Sequence, residues 1–423
     1  MRTLCRRTRS FPPGAQLLMA NQFAINLAFY MLMPFLAAHL AGDIGLAAWA
    51  VGLVLGVRNL TQQGLFLVGG TLADRYGYKA PIMAGCLLRT VGFALLGWGD
   101  TLPALIAASA ATGFAGALFN PAVRAYLAAE AGERRVEAFA VFNVYYQAGM
   151  LLGPLVGLAL LAADFRWVCG TAAAIFAALT ALQWRSLPDR HPGTTGTAAE
   201  APAPDGVLAQ WRSVLANRPF MLFAAAMIGS YVLTFQVYLA LPLAADAALG
   251  ADGTTATSGL FVLSAAVAVG AQLRLTGWAE RRWRPDRALV VGLTVLGLAF
   301  APVSLAQTVP SPAAVILATL AVAVVLLAVG SAVVYPFEMD TVVSLSGGRL
   351  VATHYGLYNT VSGLGITLGN LATGAVWDLA RDRGADWLPW LVLTATGLGC
   401  AAAVRALART GRLGAPVAHP VPA

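Results

Sequence analysis

Long apolar runs separated by short polar turns dominate this chain, and they leave it few ways to fold. A helix that crosses a bilayer needs about 20 mostly apolar residues. Runs of that kind occupy 14–40, 48–71, 80–99, 103–128, 138–162 and 167–186, then 218–245, 256–278, 287–306, 313–343, 353–378 and 387–408. Twelve crossings use roughly 240 residues, which leaves the rest of the 423 for loops, tails and one connector. The composition agrees: 59% of residues are apolar, 11% are charged and the mean hydropathy is +0.72. Soluble domains carry about 25% charged residues, so this chain cannot coat a water-facing surface of its size. Soluble, disordered and disulfide-rich secreted classes are excluded. Cys5, Cys86, Cys169 and Cys400 have neither disulfide nor metal-site spacing. The fold class expected is an all-α membrane protein of 12 transmembrane helices in two pseudo-symmetric six-helix bundles.

Residues 187–217 contain Pro188, Pro192, Gly193, Pro202 and Pro204 and read as a cytoplasmic linker. It divides the chain into an N-terminal bundle, 1–186, and a C-terminal bundle with its tail, 218–423. A net charge of +8 could suggest nucleic acid, but the basic residues sit between apolar runs, where they set orientation. With the N-terminus inside, the inner loops receive Arg75, Lys79, Arg134, Arg135, Arg281 to Arg287, Arg349 and Arg405 to Arg412, while the outer loops contain only Arg166, Arg381 and Arg383. Both termini are therefore expected to be cytoplasmic. Arg2, Arg6, Arg7 and Arg9 precede an apolar stretch too long for a typical signal peptide, so no cleavable leader is expected. An internal repeat supports the division into halves: Gly116–Pro121 resembles Gly330–Pro336, Phe142-Asn143 resembles Tyr358-Asn359, and Met33-Pro34 resembles Leu241-Pro242, in the same order. Parallel halves around a midplane site are one transporter architecture.

The sharpest local signal is Gly70-Thr71-Leu72-Ala73-Asp74-Arg75-Tyr76-Gly77-Tyr78-Lys79, between the second and third runs. An ordinary basic loop accounts for Arg75 and Lys79 but not for the spacing of Gly70, Asp74 and Gly77. The segment resembles the G-x-x-x-D-R-x-G-x-R/K signature of the major facilitator superfamily, and a degraded counterpart, Gly277 to Arg282, follows the eighth run. The resemblance covers nearly the whole chain and implies that this loop holds one conformational state. Glu130 is expected to pair with it. A second motif, Gly149-x-x-x-Gly153-Pro154-x-x-Gly157, resembles the antiporter motif of drug–proton exporters; read without the resemblance, it is a small-residue packing face with a proline bend. Gly365 and Gly369 repeat the small face in the second half, with Asn370 in place of the proline. Arg58, Gln62, Gln63, Leu88-Arg89 and Phe119-Asn120-Pro121 resemble the bacterial twelve-helix drug–proton antiporters, including the subgroup of quinolone exporters. That resemblance implies residence in a bacterial cytoplasmic membrane. The chain departs from the group at Ser109, where an Arg is usual, and at Asn21 and Gln22, where an acid is usual.

Ionisable residues in mid-span are costly and mark functional candidates. Arg58 and Arg89 fall near the middle of their runs, and a guanidinium there needs an acid, backbone carbonyls or an anionic substrate group. Both can line a cavity or be structural; Arg58, Gln62 and Gln63 share one helical sector. Glu338 and Asp340 are the acids well inside the second half, and Glu338, after Tyr335-Pro336-Phe337, is the preferred proton carrier. His354 could titrate near neutrality, but at the end of its run it reads more simply as solvated. Asn21, Asn26, Tyr30, Tyr145, Tyr146, Gln147, Tyr231, Gln236, Tyr238, Tyr355 and Asn359 offer an aromatic and amide wall suited to amphipathic molecules, or else simple packing. The sequence has no G-x-x-x-x-G-K-[ST] nucleotide loop, so the expected drive is a proton gradient with no cofactor and no metal. The expectation is a monomeric secondary transporter, not an enzyme, exporting small amphipathic compounds in exchange for protons, with no nucleic-acid partner. A metabolite importer on the same fold is the alternative. A lipid-modifying membrane enzyme is remote, because it would need clustered carboxylates or histidines.

Overall fold

The computed structural model describes residues 2–189, 206–309 and 311–413, and the regular elements among them are all helical. A short α1 (Arg2–Arg9) leads into α2 (Pro13–Gly42), α3 (Ala48–Tyr76), α4 (Lys79–Trp98), α5 (Leu102–Ala131), α6 (Arg135–Leu161) and α7 (Phe165–Ser186). Then come α8 (Val207–Ala216), α9 (Arg218–Phe235), α10 (Ala240–Leu249), α11 (Gly253–Arg282), α12 (Pro285–Leu298) and α13 (Ala301–Ala306). The chain closes with α14 (Ala313–Ser346), α15 (Val351–Asp382) and α16 (Leu388–Arg409). Among the described residues 10 stretches are long and apolar enough to cross a membrane, and one of them, Leu102–Leu161, holds both α5 and α6. α15 is not among the 10; its 32 residues include His354, Asn359, Asn370, Asp378 and Arg381. With α15, the long segments correspond one to one with the runs read from the sequence.

Local chemistry sets the ends of these segments. Proline occupies the first turn of α2, α5, α9, α12, α13 and α16, where its missing N–H costs nothing. Gly77 ends α3 at φ +84°, a backbone geometry a side chain would resist. Two segments expected to be continuous are broken. Leu239 leaves helical geometry between α9 and α10, and the chain turns again between α12 and α13. The cause is Pro242 in one and Pro302 in the other: each ring presses on the carbonyl four residues upstream, at Tyr238 and Leu298.

The chain forms two compact units. The first is 1–214 with 348–360, and the second is 215–347 with 361–423. The division therefore differs from a plain cut at the linker, because the first turns of α15 cluster with the N-terminal helices. Within the first unit α3 and α4 pack on α5, α2 on α6, and α4 on α7. The second unit repeats the scheme, with α11 and α12 on α14, and α12 on α16. The expected linker is structured at its described ends. Tyr126 donates to the Pro188 carbonyl at 2.7 Å, and Lys79 lies 3.8 Å from Asp189. In α8, Gln210 and Val214 are buried while Trp211 Nε1 donates to Thr71 Oγ1 at 2.8 Å. His191 and the run Pro192 to Pro204 lie outside the described residues.

Four long helices carry an internal proline, and each frees a carbonyl one turn back. Pro336 frees Ala332, and α11 supplies the missing donors: Gln272 Nε2 at 2.8 Å and Thr276 Oγ1 at 3.0 Å. At the corresponding place in the first unit, Pro121 frees Ala117, whose carbonyl lies so close to Gly69 of α3 that any Cβ there would collide with it. Replacing Gln272 with Leu and Thr276 with Val together should strip Ala332 of both donors and cost about 1–3 kcal/mol. Adding Pro336→Ala restores an amide and should recover most of that loss. Thermal unfolding in detergent checks both; a Gln272→Leu/Thr276→Val variant as stable as the parent would show that this carbonyl needs no outside donor.

Candidate functional site

Two arginines sit at the centre of the first unit. Each is the eleventh residue of its helix, Arg58 on α3 and Arg89 midway along the 20 residues of α4. α5 brings them together because its contact face is stripped of side chains. At Gly113 a Cβ would collide with the Arg58 carbonyl; at Gly116 it would stand 3.0 Å from Gln62 Oε1 and 3.2 Å from Arg89 Nη2. Phe29 of α2 lies under both guanidiniums, with its ring centre 5.2 Å from Arg58 and 5.0 Å from Arg89. Phe176 of α7 covers Arg89 at 5.3 Å. The hydroxyls of Tyr30 and Tyr146 lie 3.4 Å apart and, like Arg58, act electrostatically on Arg89. Arg58 is half-buried and donates to Asn59; Arg89 is 6% exposed. Among the described residues neither arginine is ion-paired with a carboxylate, and Arg58 Nε, Arg89 Nε and Gln147 Oε1 meet no hydrogen-bond partner.

The remaining wall residues are mostly interior. Asn21 and Asn26 are buried, and the Asn26 amide is spent on the Gln22 carbonyl at 2.9 Å. Tyr355, expected on a cavity wall, is fully buried against Phe139. Asn359 is buried and accepts from Arg124 at 2.7 Å, a contact the sequence reading missed although Arg124 stands three residues after Pro121. Tyr145 turns to Thr8 of α1 at 3.2 Å. In the second unit Gln236 is buried, donating to Val232 and, at 3.3 Å, to Asn370. Tyr231 is half-buried, and Tyr238 is 52% exposed beside Phe235 and Phe261. Phe29, Phe176 and Gln272 were also missed, since an aromatic or amide in an apolar run carries no positional signal.

The signature loop resolves into a helix cap made at long range. Asp74 Oδ1 accepts the Ala352 amide at 3.1 Å, and Oδ2 accepts both the amide and the hydroxyl of Thr353 at 2.7 Å. These amides open α15 and have no carbonyl of their own turn to bond, so a carboxylate there satisfies them and the helix dipole together. Glycines let the two backbones meet: a side chain at Gly70 would strike the Ala352 carbonyl, and one at Gly356 the Phe66 carbonyl. Thr360 closes the seam onto the Gln63 carbonyl at 3.1 Å. Arg75 is exposed beside Gly77. The Glu130 carboxylate lies over the first turn of α2, where a Cβ on Gly14 would be 3.1 Å from its Oε2.

The second motif is a helix seam. Gly149, Gly153 and Gly157 of α6 rest on Phe23, Tyr30 and Met31 of α2, and Pro154 lies next to the second of them inside the helix. Gly365 and Gly369 of α15 rest likewise on Ile228 and Val232 of α9. Of the titratable candidates, Glu338 on α14 is 3% exposed and Asp340 is half-buried. His354, read from the sequence as solvated, is 4% exposed with Nδ1 2.8 Å from the Leu350 carbonyl. It lies within the turns of α15 that cap onto Asp74, which is why the end of the run is not wet.

Comparison with known proteins decides the family. The Major Facilitator Superfamily profile matches residues 18–370. The chain belongs to the major facilitator superfamily. It is a multi-pass membrane transporter of small molecules and not an enzyme. It is 53% identical over 403 residues to an uncharacterized MFS-type transporter of Mycobacterium tuberculosis, covering 94% of each chain. It is 30% identical over 388 residues to the multidrug resistance protein MdtH of Yersinia enterocolitica, covering 91% of this chain and 92% of that one. The crystal structure of an auto-inhibited POT family peptide transporter matches with TM-score 0.63 and 18% identity over 97% of this chain and 99% of that one, a likeness of fold. In this MFS transporter, Asp74→Ala should expose the first amides of α15 at a cost of about 1 kcal/mol, as for other lost caps. Hydrogen–deuterium exchange of the peptide around Ala352 and Thr353 should accelerate, with Asp74→Asn intermediate; unchanged exchange would remove the cap from the account.

Proposed function

We propose that this transporter exports small amphipathic organic compounds from a bacterial cytoplasm by alternating access, each cycle coupled to inward movement of protons. The observation that carries the reading is Glu338, a carboxylic residue only 3% exposed, two residues after Pro336 within α14. A carboxyl group can carry a proton, and an ionisable side chain inside a span is costly enough to mark a function. Asp340 and His354 are the secondary candidates for the proton path. The name of the MdtH relative supports a drug-like substrate class, as does the motif from Gly149 to Gly157, which resembles the antiporter motif of drug–proton exporters. The arginine-rich loops support cytoplasmic termini, because basic residues are retained on that face. The drive is the proton gradient, without nucleotide or cofactor, and the working unit is a monomer.

Everted membrane vesicles test this directly. With an acid interior, native vesicles should accumulate a fluorescent amphipathic dye, and collapse of the gradient should release it. Glu338→Gln should abolish gradient-driven accumulation while leaving dye exchange at equilibrium intact. Accumulation driven only in right-side-out vesicles would instead show import. Gradient-driven accumulation in Glu338→Gln equal to the native protein would move the proton elsewhere.

A further inference from the structure

The arginine pair of the first unit has chemistry that proton exchange does not use. Guanidiniums stay charged at any physiological pH, so Arg58 and Arg89 are a fixed double positive charge within the helical bundle. Their faces are covered by Phe29, shared between them, and by Phe176. Their edges are different. Asn59 accepts from Arg58, but both Nε groups lack acceptors, and among the described residues no carboxylate balances either charge. The two cations also repel each other. What surrounds them is aromatic and amide: Tyr30, Tyr146 and Gln62. A set with many N–H donors, surplus positive charge and aromatic faces is completed by a planar oxyanion attached to an aromatic body.

We infer that Arg58 and Arg89 form a binding subsite for the anionic group of an aromatic substrate, such as an aryl carboxylate, and that they reject lipophilic cations. The inference rests on the transport reading and narrows its substrate class. One carboxylate oxygen pair spans the guanidinium edges, while the ring stacks among Phe29, Tyr30 and Tyr146. Gly116 lets the ends of Gln62 and Arg89 approach α5 and so fixes their place in the subsite.

Binding to the full-length protein in phosphatidylcholine nanodiscs tests this without any gradient, so its outcome is separate from that of the vesicle assay. The probes are naphthoate and its cationic isostere, naphthylmethylammonium. In the native protein naphthoate should raise the thermal unfolding midpoint in a saturable way, and the ammonium should not. By equilibrium dialysis Arg58→Gln and Arg89→Gln should each weaken naphthoate by about tenfold or more, and Arg89→Lys should lose less than Arg89→Gln. Sodium chloride or phosphate alone should give much smaller shifts than naphthoate. Equal stabilisation by the two isosteres, stabilisation by inorganic anions as large as by naphthoate, or native affinity in both glutamine variants would overturn the inference. If the glutamine variants do not fold, the comparison of isosteres on the native protein decides it.

Discussion

Hydrocarbon offers the backbone no hydrogen bonds, so a chain that crosses it must satisfy every amide and carbonyl from its own atoms. Much of this structure can be understood from that constraint. Uninterrupted helices meet it by themselves, and prolines create the exceptions. Where Pro336 frees Ala332, an amide and a hydroxyl from α11 fill the gap. Where Pro121 frees Ala117, a glycine of α3 rests on the carbonyl. Pro242 and Pro302 stand early in their helices, and there the chain breaks instead. One residue type thus sits inside a continuous helix at some places and breaks the chain at others.

The same constraint explains why polar side chains in this transporter are concentrated at specific junctions. Asp74 is spent on the two amides and the hydroxyl that open α15, and that cap ties 348–360 to the first unit. Glycine contacts bring the helices close enough for the cap to reach. The arginines follow another logic. They are held by aromatic faces rather than by acids.

Most of the architecture was legible in the sequence, because the physics behind it is local. Run length predicts each crossing, prolines and glycines mark the ends, and repeated small residues mark both glycine seams. The signature loop was legible as a motif, but nothing in it says that its partner lies some 280 residues away, at Thr353. The candidate wall was the weakest reading. Amides and tyrosines in apolar runs look alike on paper, and Tyr355, Asn359 and Gln236 proved to be buried.

The sequence alone determined that this chain lives in lipid, crosses it with long helices in two related halves, and carries charges too costly to be accidental. Those properties follow from transfer energies and helix periodicity, which act over a turn or two. Only the tertiary structure decided what those charges face: a helix start for Asp74, aromatic rings for Arg58 and Arg89, and a dry interior for His354. Those outcomes depend on which helices touch, and contact between distant segments has no local signature in the chain.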